Sequence, residues 1–146
     1  MRSRRGFSIV ELMISLALVG TLAAVAAPAW EDARLRAERA EVPANLDGIV
    51  AAEVAYGAAF ERYVWVDSFL PDALPGKRPR AWAGPAFDSL GWAPDGMVRG
   101  SYAVYTSDRA AFEAHGVCDV DGDGAWSWWR ATPAEPAAML TVADEY

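Results

Sequence analysis

Apolar residues run almost without interruption from Phe7 to Trp30, and a single carboxylate, Glu11, breaks the run. A helix over those roughly 24 residues reaches about 36 Å, enough to cross a bilayer. Beyond Trp30 the character changes sharply. Residues 31–39, Glu-Asp-Ala-Arg-Leu-Arg-Ala-Glu-Arg, read as a solvated helix with acid placed before base, the order that suits the macrodipole and i,i+4 pairs. Leu35, Val42, Leu46, Ile49, Val50, Tyr56, Phe60 and Val64 then recur at helical spacing, a stripe on which a globular domain packs. Helix is expected to end near Val64, and Pro43 to introduce an irregularity within it.

The next stretch, 65–86, reads as a loop. Pro71, Pro75, Pro79 and Pro85, interspersed with Gly76 and Gly84, argue against regular structure, and Lys77, Arg78 and Arg80 form the one basic patch after residue 39. From Phe87 the pattern becomes that of short strands. Arg99–Thr106 alternates, Phe112–Val120 and Ala125–Thr132 follow, and Met139–Val142 makes a last edge strand. Trp82, Trp92, Trp126, Trp128 and Trp129 offer bulk for a small core. Trp126 and Trp128 share one face of their strand, so Trp129 is expected to point outward. The fold class is α+β: a long N-terminal helix laid on a three- or four-stranded antiparallel sheet. Its divisions are 1–6, 7–30, 31–64, 65–86 and 87–146.

Charge sharpens the N-terminal reading. Arg2, Arg4 and Arg5 precede the apolar run, which places the N-terminus in the cytoplasm and the bulk of the chain outside. An ionisable group in lipid costs at least ~2.5 kcal/mol, so Glu11 needs a partner. Gly6-Phe7-Ser8-Ile9-Val10-Glu11-Leu12 resembles the processing site of type IV prepilins and of the pseudopilins of type II secretion. The resemblance implies that a prepilin peptidase cuts between Gly6 and Phe7 and methylates the new amine of Phe7. It implies that Glu11 is the assembly carboxylate, and that Gly20 and Pro28 weaken the helix where it is melted in many pilus filaments. The partners it implies are that peptidase, other pilin or pseudopilin subunits, the inner-membrane assembly machinery and membrane lipid. The product would be a minor pilin or pseudopilin, first a single-pass inner-membrane precursor and then part of a pilus or pseudopilus in the periplasm or at the cell surface.

A physical argument stands beside the resemblance. Cleavage creates an ammonium on Phe7 with Glu11 one turn away, and Glu11 pairs either with its own amine or with a neighbour's. Only the second explains a carboxylate inside a membrane span. A buried carboxylate paired across subunits sets axial register, which a filament of heterologous contacts requires. The competing reading is a secretory signal peptide, with Met1–Arg5 as basic region, Phe7–Gly20 as apolar region and Ala24-Val25-Ala26 as cleavage site. A glutamate in the apolar region and an apolar run that continues past Ala26 argue against it. In that alternative the chain is a tethered or secreted binding module with a tryptophan-rich domain.

The net charge of −7 becomes −10 once the three leader arginines are gone, which argues against a nucleic-acid surface built on charge attraction. Cys118 is the only cysteine, so no internal disulfide forms, and it reads as a small buried residue. His115 is the only histidine and reads as a loop residue. No nucleophile–base set or phosphate loop is present, so no enzymatic activity is expected and no cofactor is required. One cluster has ligand spacing: Asp119, Asp121 and Asp123, with Gly124 at the turn. It reads either as a calcium loop or as a hairpin turn whose aspartates bond their own backbone. The twelfth position of a calcium loop would be Arg130 rather than a bidentate glutamate, which counts against an EF-hand.

Overall fold

The computed structural model describes residues 6–72, 76–107, 111–142 and 146. They divide into two compact units at Arg34–Leu35. The first holds most of helix α1, Ile9–Arg39, which remains helical through both Gly20 and Pro28. Its apolar side chains are bare: Val25 and Trp30 keep 76% and 72% of their surface. By length and composition this helix is able to cross a membrane.

In the second unit, the last turn of α1 and helix α2, Glu41–Phe60, lie against a sheet. The two helices are separated at Ala40, not at Pro43 where the irregularity was expected. The displacement has a simple cause. A proline lacks the amide hydrogen that would bond back to Arg39, and its ring crowds that carbonyl, so the fault falls in the preceding turn. Glu41, just after the break, accepts the Arg99 N–H with both oxygens at 3.0 and 3.2 Å and the Tyr102 hydroxyl at 3.3 Å. Asn45 donates to the same hydroxyl at 2.7 Å. These bonds fasten the start of α2 to the sheet.

α2 buries Val42, Leu46 and Ile49, as its apolar stripe predicts, but the fourth buried position of that face is Glu53. The helix ends at Phe60 rather than Val64. Glu61 adopts a left-handed conformation, φ 54°, with its N–H on the Gly57 carbonyl. Tyr63 then folds back so closely that a Cβ on Gly57 would stand 2.5 Å from its ring.

The sheet has five antiparallel strands, not three or four: β1 Val66–Leu70, β4 Ser101–Ser107, β5 Ala111–Cys118, β6 Ser127–Ala131 and β7 Ala138–Met139, in the order β1-β4-β5-β6-β7. The added strand is β1, within the stretch read as helix end and loop. Val66 and Leu70 are buried against Val104 and Tyr102, and a register irregularity lies between them. The proline-rich stretch is also more ordered than expected. It contains β2, Arg80–Ala81, which pairs with β3, Met97–Val98, and a 3₁₀ helix, Pro85–Leu90, that takes up Phe87. Trp82, Phe87, Trp92 and Tyr102 hold it down as an aromatic cluster with ring centroids 5.4–6.2 Å apart.

Register assigns the two faces of the sheet. Tyr102, Gly116 and Trp129 form one row towards α2, whereas Ala103, His115 and Arg130 form a row on the other side. At Gly116 helix and sheet approach closely: a Cβ there would lie 2.7 Å from Val42 Cγ1. The expectation for the tryptophans is reversed. Trp129 packs on the core, while Trp126 and Trp128 stand on the outer face with 39% and 36% of their surface open. The strand starts at Ser127, whose side chain is buried, and that fixes the odd positions inward. Phe69 of β1 meets Trp128 edge-on across the outer face at 5.7 Å.

Tyr146 closes the unit. Its carbonyl accepts the Val120 N–H at 3.1 Å, its hydroxyl accepts Arg36 Nε at 3.4 Å, and the Arg39 guanidinium lies 4.8 Å from its ring centroid.

Candidate functional site

Residues 6–11 build the start of α1. Gly6 and Phe7 are non-helical and exposed, and the helix begins at Ile9. Ser8 stands at the N-cap, where its hydroxyl accepts the Val10 N–H at 3.3 Å. Glu11 reaches back and accepts the Ser8 N–H at 3.0 Å. The pair forms a capping box, Ser-x-x-Glu, which satisfies two of the four orphan donors of a helix start. Glu11 therefore already has an intrachain partner, and that partner is a backbone amide one residue from the Phe7 nitrogen. The Ser-x-x-Glu spacing ahead of an apolar run is the sequence signal for this role of Ser8. Ser15 and Thr21 return their hydroxyls to the carbonyls of Glu11 and Leu18, both at 2.8 Å, which removes two more polar groups from the helix surface.

Of the other helix positions singled out, Gly20 faces open space and Pro28 lies within continuous helix. Neither is near a second site residue. The segment presents a bare apolar rod with one carboxylate in its first turn.

The Asp119–Gly124 turn lies in the other unit. Carboxylate oxygens of Asp119, Asp121 and Asp123 lie within 4.8 Å of one another. Asp119, almost fully buried, accepts the N–H groups of Gly122 at 2.7 Å and Gly124 at 3.1 Å. Asp121 accepts the Asp123 N–H at 3.4 Å, and Asp123 accepts the Ala125 N–H at 2.7 Å. Gly122 and Gly124 are left-handed, φ 75° and 87°. Every one of the three carboxylates thus bonds the loop's own backbone. Burial raises the pKa of Asp121; the Asp123 N–H bond opposes the shift, and the neighbouring Asp123 and Asp119 add to it.

His115 belongs to β5, not to a loop, and its Nε2 lies 3.2 Å from Glu113 Oε2. Cys118 is buried with Sγ 3.0 Å from Ser127 Oγ, and burial pushes its thiol up to about 11, so it is an inert packing group.

Residues 1–27 match the family described as the prokaryotic N-terminal methylation motif. The chain is 37% identical over 92 residues to the type IV major pilin PilE1 of Neisseria gonorrhoeae, covering 60% of this chain and 36% of the relative. It is 43% identical over 49 residues to a fimbrial protein of Moraxella nonliquefaciens, covering 34% and 32%. A third relative is the type IV major pilin PilA of Myxococcus xanthus, 36% identical over 59 residues, covering 40% and 27%. Over these stretches the chain is similar to type IV pilins. It spans about a third of the length of the curated relatives it matches. Those relatives carry the names of structural pilins, which agrees with the reading of this pilin-like chain as a subunit rather than an enzyme. Its fold, a long N-terminal helix with an antiparallel sheet, is consistent with that similarity.

Proposed function

We propose that this pilin-like chain is made as a single-pass precursor with its N-terminus in the cytoplasm. A prepilin peptidase cuts it between Gly6 and Phe7 and methylates Phe7. It then polymerises through α1, as a minor pilin or pseudopilin, into a pilus or pseudopilus at the periplasm or cell surface. The observation that carries this reading is the bare apolar segment of α1 with Glu11 in its first turn. An apolar surface of that size must be covered by lipid and later by other helices. The capping box leaves Glu11 beside the nitrogen that cleavage would turn into an ammonium. A neighbouring subunit's amine supplies the partner that selects axial register.

Mass spectrometry of the mature protein tests processing: the expected first residue is N-methylated Phe7. A mature chain that starts near Ala27 would overturn the proposal in favour of a signal peptide and a secreted module. Quantifying the subunit in sheared filaments tests the minor role, which expects it well below the stoichiometry of the principal subunit.

A further inference from the structure

Glu53 is fully buried on the face of α2 that packs against the sheet. Its Oε2 accepts the Val64 N–H at 3.0 Å, and its Oε1 has no hydrogen-bond partner among the described residues. A carboxylate in that position is anomalous, because an unpaired buried charge is among the most expensive groups in a fold.

Among the described residues, the surroundings offer it no cation. Strand alternation turns Tyr102, Val104 and Thr106 of β4, Phe112, Ala114, Gly116 and Cys118 of β5, and Ser127, Trp129 and Ala131 of β6 towards α2. Glu113, His115 and Arg130 lie on the opposite face, where they pair with one another. The two titratable groups on the inner face, Tyr102 and Cys118, are neutral and bonded elsewhere, to Asn45 and Ser127. On α2 itself, Glu41 is taken by Arg99 and Tyr102, and Asp47 accepts the Ala137 N–H. From the reversal after α2, Arg62 donates to the Tyr56 hydroxyl at 3.3 Å and Tyr63 packs on Phe112 at 4.7 Å. Glu61, the remaining charged residue there, is exposed.

We propose that Glu53 is a proton-operated latch that fastens the 61–65 reversal, and with it the entry to β1, onto α2. With the proton bound, the neutral carboxyl stays buried and its oxygen holds the Val64 amide. When the proton leaves to solvent, a carboxylate with one unsatisfied oxygen draws water into the joint and the reversal loosens. Burial is the dominant influence and lifts Glu53 to about 7, with the Val64 hydrogen bond opposing it. The sign follows from linkage. The unfolded chain releases this proton near 4.5 and the folded chain near 7. The stabilisation is complete below the lower value, declines between the two and is lost above the upper.

Hydrogen exchange of the full-length protein in detergent micelles, read by mass spectrometry between pH 5.5 and 8.5 and corrected for intrinsic rates, tests the latch. Segment 61–70 is expected to lose protection about tenfold or more as pH rises through neutrality, since each unit of pKa displacement is a tenfold change in equilibrium. Glu53→Gln keeps the shape and the Val64 acceptor, and its profile is expected to be flat. The same pH dependence in the variant, or a flat wild-type profile, would sink the proposal. Should the variant fail to fold, infrared spectroscopy of the wild type decides. A protonated carboxyl band that persists to pH 6 and titrates near neutrality supports the latch, and its absence refutes it.

Discussion

The carboxylate of Glu11 and the backbone amide of Ser8 are hydrogen-bonded at 3.0 Å, one turn apart on the same chain. This bond gives the charge a partner before any other subunit arrives, and so lowers the cost of holding it near or within lipid. In the proposed function, insertion and assembly draw on different interactions of the same side chain. Glu11→Val should insert at least as readily as wild type yet be depleted from filaments. Glu11→Gln, which keeps an oxygen for the Ser8 amide but loses the charge, separates the two roles. Comparing membrane-bound and filament-bound fractions measures this, and normal incorporation of both variants would remove Glu11 as the register device.

Processing should depend on side-chain size at Gly6, which meets nothing within 4 Å and lies in non-helical chain. Gly6→Ala is expected to slow the appearance of mature chain only partly, while a bulky residue blocks it. Pulse-chase with gel separation of precursor and mature forms reads the difference.

Gly116 sets how near α2 approaches the sheet. A Cβ there collides with Val42 and crowds Leu46, so Gly116→Ala should cost about 1–3 kcal/mol. Each kcal/mol lowers the melting midpoint of a domain this size by roughly 4–8 °C. Gly20→Ala, where the added carbon meets nothing within 4 Å, serves as the control and should leave the midpoint of the sheet unit unchanged.

Trp129 in β6 and Trp126 just before it should behave as opposites. Trp129→Ala removes a ring from the core and should cost about 3–5 kcal/mol, whereas Trp126→Ala, on the outer face, should cost less than about 1 kcal/mol. Urea titration of both variants, compared at equal slope, distinguishes them.

The self-bonded Asp119–Gly124 turn predicts that melting in millimolar calcium and in chelator gives the same midpoint. Asp119→Ala should destabilise equally in both, by about 1–3 kcal/mol, because it strands the Gly122 and Gly124 amides. A metal present at about ten times its Kd would add ~1.4 kcal/mol. A calcium-dependent midpoint that Asp121→Ala abolishes would establish the loop as a calcium site instead.

The N-terminal half was legible because its signals are local. A membrane-length run, a glycine before phenylalanine and a carboxylate one turn later need no tertiary information. The stripe through Val42, Leu46 and Ile49 was readable for the same reason. What escaped depends on contacts distant in sequence. Val66–Leu70 reads as loop because Asp67 and Ser68 lead into prolines, and only pairing with Val104 and Tyr102 makes it a strand. Glu53 interrupts an apolar face that periodicity alone would fill with a hydrophobe. The orientation of Trp126, Trp128 and Trp129 depends on which phase of the alternation meets α2, and Gly116 and Ser127 settle that phase. The aromatic cluster under the proline-rich stretch shows that proline and glycine forbid long elements without forbidding order.

Tyr146 has a mechanical meaning. It touches Arg36 and Arg39 at the end of α1 with its ring and hydroxyl, and Val120 beyond β5 with its carbonyl. A pull on the last turn of α1 thus has two routes into the sheet: the covalent path through Ala40 and α2, and this clasp. The clasp spreads a pull over a hydrogen bond, a cation–ring contact and a strand end at once, and it bypasses Ala40, the single residue between α1 and α2.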